Sequence, residues 1–338
     1  MKGLLLLSSD LEEVVNVSQD NLRKLDGTTI VILGGTGFVG KWLVSTLISA
    51  RLKLSLNYEI YIVTRSNLST REYFNPSDVR LIEHDLAASS LDLPKANYFI
   101  HGATPSVPST GSQNPLQVMS ATTNGTISIS EAVAKSPAPK SCLYLSSGAV
   151  YGSQPKELIR QPESIINNLN ESLNSYGRTK LSNELMMLQI KENFGVAVSL
   201  PRLFAFYGPH IALDAHFAIG NFFRDARAGG PVRILGNPNT TRSYMYPTDL
   251  IVNLIQLLVN PEDHPINLGS PQPLTMRSVA EKICEMFGDI QIEELDPGGA
   301  FSNYVPETDW ILDKSGIEPR VSFDEGLQRW NRWLDLRP

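Results

Sequence analysis

Two cysteines in 338 residues, Cys142 and Cys284, leave no basis for a disulfide framework, and they stand too far apart in sequence to form a metal-binding pair. A reducing cytoplasm is the expected setting. Nowhere does the chain reach the ~18 to 20 consecutive apolar residues that a membrane span requires. The opening run Leu4 to Leu7 looks like the start of a signal peptide only until Asp10, Glu12 and Glu13 interrupt it. Without secretion, the glycosylation-like triplets Asn124-Gly125-Thr126 and Asn170-Glu171-Ser172 carry no meaning. Basic charge is also scarce: 29 Lys and Arg face 35 Asp and Glu, a net charge of -6. Nucleic acid and anionic membranes are therefore not attracted at long range, and an anionic ligand has to be met by local arginines. Internal repeats and low-complexity tracts are missing as well. What remains is a globular composition, 42% hydrophobic and 19% charged, with enough apolar residues for a sizeable core.

From Thr28 onward, short β-branched runs alternate with longer helical patterns: Ile30 to Leu33, Ile60 to Val63, Val79 to Ile82, Tyr98 to Ile100, Cys142 to Leu145 and Val196 to Leu200. Strands separated by helices predict an α/β fold built on a doubly wound parallel sheet. The segments Pro115 to Lys135 and Ser175 to Asn193 are long enough to form a packed helix pair, a suitable face for a homodimer. After Pro201 the pattern loosens into Gly/Pro-rich connections, which predicts a smaller lobe closing over a ligand. Residues 1–26 read as a partly helical extension, with Leu11, Val14, Val15, Leu22 and Leu25 as docking positions.

The first strand runs into Gly34-Gly35-Thr36-Gly37-Phe38-Val39-Gly40. Glycines let the backbone turn tightly against a pyrophosphate, and the helix that starts near Phe38 presents free N–H groups and the positive end of its dipole. Gly35 to Lys41 also satisfies the spacing of a nucleotide-triphosphate loop up to its lysine, but Trp42 stands where a Mg²⁺-binding Ser or Thr is needed. ATP and GTP hydrolysis are thereby excluded. At the end of the second strand, Thr64 and Arg65 offer a hydroxyl and a guanidinium rather than a carboxylate, which suits the 2′-phosphate of NADP over NAD; a solvated Arg65 is the other reading. Asp85, after the third strand, suits either an adenine amino group or the cap of a turn.

Tyr176 and Lys180 lie four apart at the start of a helical pattern, hence on one face. An ammonium beside a phenol favours the phenolate and makes Tyr176 a usable proton donor and acceptor at a sugar hydroxyl or carbonyl. Upstream, Tyr144-Leu145-Ser146-Ser147-Gly148-Ala149-Val150-Tyr151-Gly152 delivers serines at the carboxyl end of a strand, where open α/β sheets bind ligands. In this order, the glycine loop, the serine strand and Tyr176 with Lys180 resemble the extended short-chain dehydrogenase/reductases, specifically the NAD-dependent epimerase/dehydratase family, over roughly residues 28–285. Further landmarks are His101-Gly102-Ala103-Thr104, Asn124-Gly125-Thr126, Pro201-Arg202-Leu203, Tyr207-Gly208-Pro209, Arg242-Ser243-Tyr244 with Asp249, and Asn267-Leu268-Gly269.

The resemblance implies a Rossmann-type sheet in an NAD(P)-binding domain of residues 27–200, rejoined by 240–268, with a substrate-binding lobe of 201–239 and 269–338. It implies a triad of Ser147, Tyr176 and Lys180 and a nucleotide-diphosphate sugar as substrate. The dinucleotide would be held by Gly34, Gly37, Phe38, Val39, Gly40, Thr64, Arg65, Asp85, Leu86, Ala103, Thr104, Asn124, Ser146, Tyr176 and Lys180, the last gripping the nicotinamide ribose. Arg242 would grip the substrate diphosphate with Asn221 nearby, and Ser106 and Ser147 would reach the sugar. His101 is expected to pack at a strand end beside the cofactor, and Trp330 and Trp333 to anchor the core. His210 and His216 lack metal-ligand spacing, so no metal is assigned.

Two departures bear on the reaction. Family dehydratases carry an acid pair after the serine or threonine, and the sugar-acid decarboxylases tend to have a glutamate at the position of Ala149; here Gly148 and Ala149 transfer no proton. A 4-epimerase and a 4-ketoreductase remain, beside the dehydratase and decarboxylase labels and a non-catalytic dinucleotide-binding protein. The second departure is Ala205, where the family usually places a substrate-contacting asparagine.

Overall fold

Strand β1 (Thr29–Leu33), five residues of TIVIL with four fully buried, sits near the middle of the molecule, as its unbroken apolar run demands. The computed structural model describes residues 5–66, 71–104, 114–164, 173–213, 217–315 and 319–337. Around β1 assemble β2 (Glu59–Thr64), β3 (Arg80–Glu83), β4 (Tyr98–His101), β5 (Ser141–Tyr144) and β7 (Ala197–Ser199), in the order β3-β2-β1-β4-β5-β7. All five pairings are parallel. The order reverses at β1, so a crevice opens between the carboxyl ends of β1 and β4, where a doubly wound sheet receives its ligand.

Two helices on one face carry the site. Helix α4 (Pro115–Lys135) begins with Asn114, whose side chain accepts from the Leu116 amide, and with Pro115 at its first position. Helix α5 (Ser175–Phe194) is capped by Asn174, which accepts from the Gly177 amide, and ends at Gly195 in the left-handed region. On the other face lie α3 (Phe38–Lys53), α7 (Pro247–Val259) and the N-terminal helices α1 (Ser8–Val17) and α2 (Gln19–Arg23). Val14, Val15, Leu22 and Leu25 are fully buried in this layer, and Leu11 packs against its edge. Asp10, also buried, accepts from Tyr246 at 2.8 Å and pairs with Arg329 at 3.0 Å, tying the extension to the C-terminal helix α10 (Phe323–Asp335). Trp330 and Trp333 of that helix are 0% and 2% exposed, consistent with anchors of a core.

Beyond β7 the strands shorten. β6 (Ser146–Ser147), β8 (Pro201–Leu203) and β11 (Ile266–Leu268) form a parallel trio beside the main sheet. In the lobe, β10 (Thr241–Arg242) lies between β12 (Leu274–Thr275) and β14 (Asn303–Tyr304), and β9 (Val232–Ile234) pairs with β13 (Ile292–Glu294). Residues 241–242 and 266–268 thus join small sheets of their own, whereas 247–259 return as a helix covering the main sheet. Among the described residues, no helix is long and apolar enough to cross a membrane.

Candidate active site

At the end of β1, Gly34 turns with φ +90°, and a side chain there would meet the Gly102 carbonyl carbon at 2.7 Å. Only glycine serves both demands. A Cβ on Gly40 would lie 2.2 Å from the Gly34 carbonyl oxygen, so the first turn of α3 packs directly on the loop. Gly37, the N-cap of α3, has no side-chain cap bond, which leaves the helix's leading N–H groups facing outward for an anion. Phe38 and Val39 are half-buried beside them, with the Phe38 ring stacked on Phe206 at 5.0 Å. The loop therefore has the shape and the donors that a dinucleotide pyrophosphate needs.

Around it stand the other residues expected to touch a cofactor. The Thr64 hydroxyl is buried and donates to the Ser66 carbonyl at 3.2 Å, while Arg65 is exposed. Asp85 accepts from the Ala87 amide at 2.9 Å and so caps its own turn. Asn124 donates to the Leu86 carbonyl at 2.7 Å, fastening that turn to α4. Ala103 and Thr104 follow β4 at the crevice. Ser146 differs from expectation: it is 2% exposed and its hydroxyl bonds Glu184, beneath the crevice rather than in it. Odd and even residues of a strand point to opposite faces, so Ser146 and Ser147 cannot both face the ligand.

Ser147 has the favoured face. Its Oγ accepts from the Ala149 amide at 3.2 Å and hydrogen-bonds the Tyr176 phenol. Lys180, one turn along α5, donates to the Leu145 carbonyl at 2.7 Å and to Thr104 Oγ1 at 2.8 Å; its Nζ lies 5.8 Å from the Tyr176 ring centre. The ammonium thus faces the strand end, where the resemblance placed a ribose. Burial depresses its pKa to about 7, with Glu184 opposing. The expected effect on tyrosine is reversed: burial raises the Tyr176 pKa above its ordinary value, and the Ser147 hydrogen bond opposes that rise. Lys180, with its ammonium on the Leu145 carbonyl and Thr104, does not offset that desolvation.

Under the triad runs a buried network. Arg202 forms two bonds to Glu184, at 2.7 and 3.0 Å, with both side chains 3% exposed. Arg202 also donates to Tyr151 at 3.0 Å, and Tyr151 donates to Asn267 at 2.7 Å. Sequence reasoning left Glu184 out, although Tyr176, Lys180 and Glu184 stand at successive four-residue steps on one helix face. His101 is fully buried, its Nε2 2.8 Å from the Thr122 carbonyl, and burial lowers its pKa to about 4, so it is neutral packing at the strand end. Among the described residues no three His, Cys, Asp or Glu side chains gather as a metal site.

The lobe contributes a cavity of about 480 Å³ lined by Asn221, Arg224, Arg233, Asn237, Arg242 and Ser302, among others. That is room for a nucleotide-sized ligand. Asn221 and Arg242 are thus brought together, whereas Ser106 lies outside the described residues. Arg224 and Arg233 pair with Asp225 and Glu293. Arg242 is different: it donates to the Thr241 and Ser302 carbonyls and to Ser302 Oγ at 2.8 to 3.2 Å, none of them a carboxylate. Burial lowers its pKa, and an anion entering the cavity meets a guanidinium that pairs with no carboxylate among the described residues. Between Arg242 and the triad stands Tyr304, missed in the sequence. Its ring centre is 5.9 Å from the Arg242 guanidinium and its hydroxyl 3.3 Å from Ser147 Oγ.

A parallel sheet with a glycine loop at its switch point and a Ser-Tyr-Lys triad beside it defines a dinucleotide-dependent α/β enzyme of the extended short-chain dehydrogenase/reductase type. The chain belongs to the NAD dependent epimerase/dehydratase family, whose profile matches residues 30–269. It is 29% identical to UDP-glucuronic acid decarboxylase 1 of Arabidopsis thaliana over 304 residues, 89% of this chain and 68% of the relative. UDP-glucuronic acid decarboxylase 3 of the same plant is 28% identical over 325 residues, 94% of this chain and 91% of that one. Among solved structures, UDP-glucose 4-epimerase of Thermotoga maritima superposes with a TM-score of 0.77 at 21% identity, covering 91% of this chain and 98% of its own. UDP-glucuronic acid 4-epimerase of Bacillus cereus, solved with UDP-glucuronic acid and NAD, gives 0.73 at 19%, covering 91% and 99%. At these identities the structures show a shared fold.

Proposed function

We propose that the protein is a nucleotide-diphosphate-sugar 4-epimerase that oxidises a sugar carbinol to a ketone and reduces it again from the other face. The observation that carries this reading is a complete Ser147-Tyr176-Lys180 triad followed by Gly148 and Ala149, with no acid beside the serine. Nor is there space for one at Gly148, where a Cβ would meet the Phe204 ring at 2.7 Å. A dinucleotide held at Gly34, Gly37 and Gly40 supplies the hydride acceptor. Tyr176 takes the proton of the sugar hydroxyl and returns it to the ketone, Ser147 donates to that same oxygen, and Lys180 holds the ribose and lends positive charge to the phenolate. Arg242 anchors the diphosphate, which leaves the keto sugar free to rotate about its glycosidic link.

We assign NAD rather than NADP. The Thr64 hydroxyl is turned to its own loop, so at this strand end preference for a 2′-phosphate rests, among the described residues, on Arg65, and the Bacillus cereus relative was solved with NAD. Decarboxylation is the second reading, favoured by likeness to UDP-glucuronic acid decarboxylases over 89% and 94% of this chain. That reaction also begins with oxidation at C4, so product analysis separates the two. UDP-glucose, UDP-glucuronic acid and their 4-epimers are supplied to the purified protein and followed by NMR. A C4 epimer is expected; carbon dioxide and a pentose product would establish the second reading, and unchanged turnover in Tyr176→Phe would overturn the mechanism. A homodimer is proposed on α4 and α5, where Leu116, Met119 and Leu185 are 63%, 47% and 60% exposed; a monomer mass in solution scattering would refute it.

A further inference from the structure

Lys180 is a buried ammonium to which no carboxylate is bonded among the described residues. Its Nζ donates to the Leu145 carbonyl and to Thr104 Oγ1, while the acid on its own helix face, Glu184, is taken up by Arg202 and Ser146. Two neutral acceptors compensate poorly for the water that such a charge loses on burial. Something further meets it: Nζ lies over the Tyr144 ring, 4.9 Å from the centroid.

Tyr144 ends β5 opposite His101 of β4 in the parallel register, and the two rings meet edge to face at 5.2 Å. The residue is 0% exposed, so its ring is fixed where α5 brings Lys180 down on it. Its hydroxyl has no hydrogen-bond partner among the described residues, an expense that a phenylalanine would avoid. The useful part of Tyr144 is therefore its ring face, whose negative quadrupole attracts an ammonium more strongly where water is excluded. The other neighbours serve less well. The Tyr176 ring is farther, at 5.8 Å, and His101, bonded to the Thr122 carbonyl and neutral, has no charge to give.

We propose that Tyr144 is a positioning residue whose ring face holds the Lys180 ammonium, charged, at the strand end beside Tyr176. Tyr144 acts through Lys180 and moves no proton itself. The effect on Lys180 is independent of the reaction catalysed; the effect on turnover rests on the epimerase reading.

The test reads Lys180 directly. Isotope-labelled lysine ε-methylene groups in the full chain are followed by NMR against pH, and the Lys180 signal is assigned as the one missing from Lys180→Met. Burial brings its midpoint to about 7, where ordinary lysines, at about 10.4, do not overlap it. Tyr144→Phe keeps the ring and should leave the midpoint within about 0.2 units, whereas Tyr144→Leu should lower it by about half a unit to one. Glu184 with its partner Arg202, Tyr176 and His101, the charged and titratable groups around Lys180, are the same in every protein. Because loss of a buried ring can unfold the chain, the same question is put to a protein of unchanged shape, Tyr144→Phe with ring-fluorinated phenylalanine at that one position. Fluorine drains the π face, so the midpoint should fall stepwise with each atom added. A midpoint that stays put in the leucine and fluorinated proteins overturns the inference, since packing alone would cost stability and leave Lys180 titrating as before. An equal fall in Tyr144→Phe would assign the effect to the hydroxyl and overturn it too. On the epimerase reading, kcat of Tyr144→Leu drops about threefold to tenfold at pH 8 and converges on the wild type at low pH, where both lysines are charged. A moved midpoint in a protein that turns over no nucleotide sugar supports the inference and sinks the functional reading; an unmoved one in an active epimerase does the reverse.

Discussion

Gly34 and Thr104 follow the carboxyl ends of parallel strands with four or five residues in register, and Ser147 sits on the two-residue β6 just beyond β5, paired with the buried β8, whereas Arg242 and Tyr304 stand on two-residue strands of the lobe. The first group is fixed by a buried sheet and, below it, by the Glu184–Arg202 pair. The second is fixed by local bonds to Ser302 and, through Tyr304, by a ring contact with Phe204 and long hydroxyl contacts to the Leu203 carbonyl and Ser147. In the proposed reading the difference separates two duties: the half that would move hydride and proton is built on a buried sheet because its atoms must meet within tenths of an ångström, and the half that would recognise the ligand is built from parts that can change without disturbing the sheet. It also assigns different costs to mutation, and those costs can be measured.

The largest effect should come from Arg202→Met. Removing one partner strands the Glu184 carboxylate in a site where both side chains are 3% exposed, which costs about 3 to 5 kcal/mol. Urea unfolding should show that loss, together with weaker dinucleotide retention; a loss below about 1 kcal/mol would mean that the catalytic half does not rest on this network. Arg242→Ala is the counterpart in the lobe. Stability should hardly change, while affinity for UDP falls about tenfold to hundredfold, the worth of a partly buried charge-assisted contact, and bound dinucleotide stays constant. Equal damage to fold and binding would erase the contrast between the two halves.

The same contrast explains what the amino-acid order revealed. Gly34-Gly37-Gly40 and Tyr176-Lys180 act through local spacing along one turn or one helix, and Ser147 through its place at a strand end, so their geometry is written in adjacent residues. Ser146 was misread because strand alternation decides which of two neighbouring serines faces the ligand, and a two-residue strand gives no pattern to read. Tyr304 had no signal at all. It meets Ser147 across 157 positions through the β10–β14 pairing, and NY between loop residues has no periodicity. The pKa of Tyr176 was misjudged for a related reason, since burial is a tertiary property and outweighs the Lys180 charge that the helix spacing suggested.

Within the half built on the sheet, Lys180 gives a smaller and pH-dependent effect. Burial lowers its pKa from 10.5 to about 7. Between those values the unfolded chain carries a proton that the native protein lacks, so stability from this group is fully present above the upper value and is lost as the pH falls through the lower one. Lys180→Met should therefore flatten the rise of unfolding free energy with pH across that window, by up to about 1.4 kcal/mol per pH unit. An unaltered slope would show that the lysine is not desolvated in the native protein.

The smallest effect should fall at Arg65, which belongs to the sheet by position yet to the surface by exposure. Thr64 beside it is buried and held by Ser66, which leaves the exposed Arg65 guanidinium as the partner at this strand end that a 2′-phosphate would meet among the described residues. If the site holds NAD, as we propose, Arg65→Ala changes NAD affinity less than about twofold, because a lone exposed charge contributes little. NADP affinity should drop more, about tenfold, because the guanidinium is the donor closest in sequence to where a 2′-phosphate would sit. Calorimetric titration of both dinucleotides into the apo-protein decides this, with the wild type expected to bind NAD more tightly. A wild type that prefers NADP, and loses that preference in Arg65→Ala, would restore the 2′-phosphate reading and turn the search toward reduction of a 4-keto sugar with exchangeable cofactor. It would also blur the division between the two halves, since a solvated strand-end residue would then be choosing the chemistry that the buried triad performs.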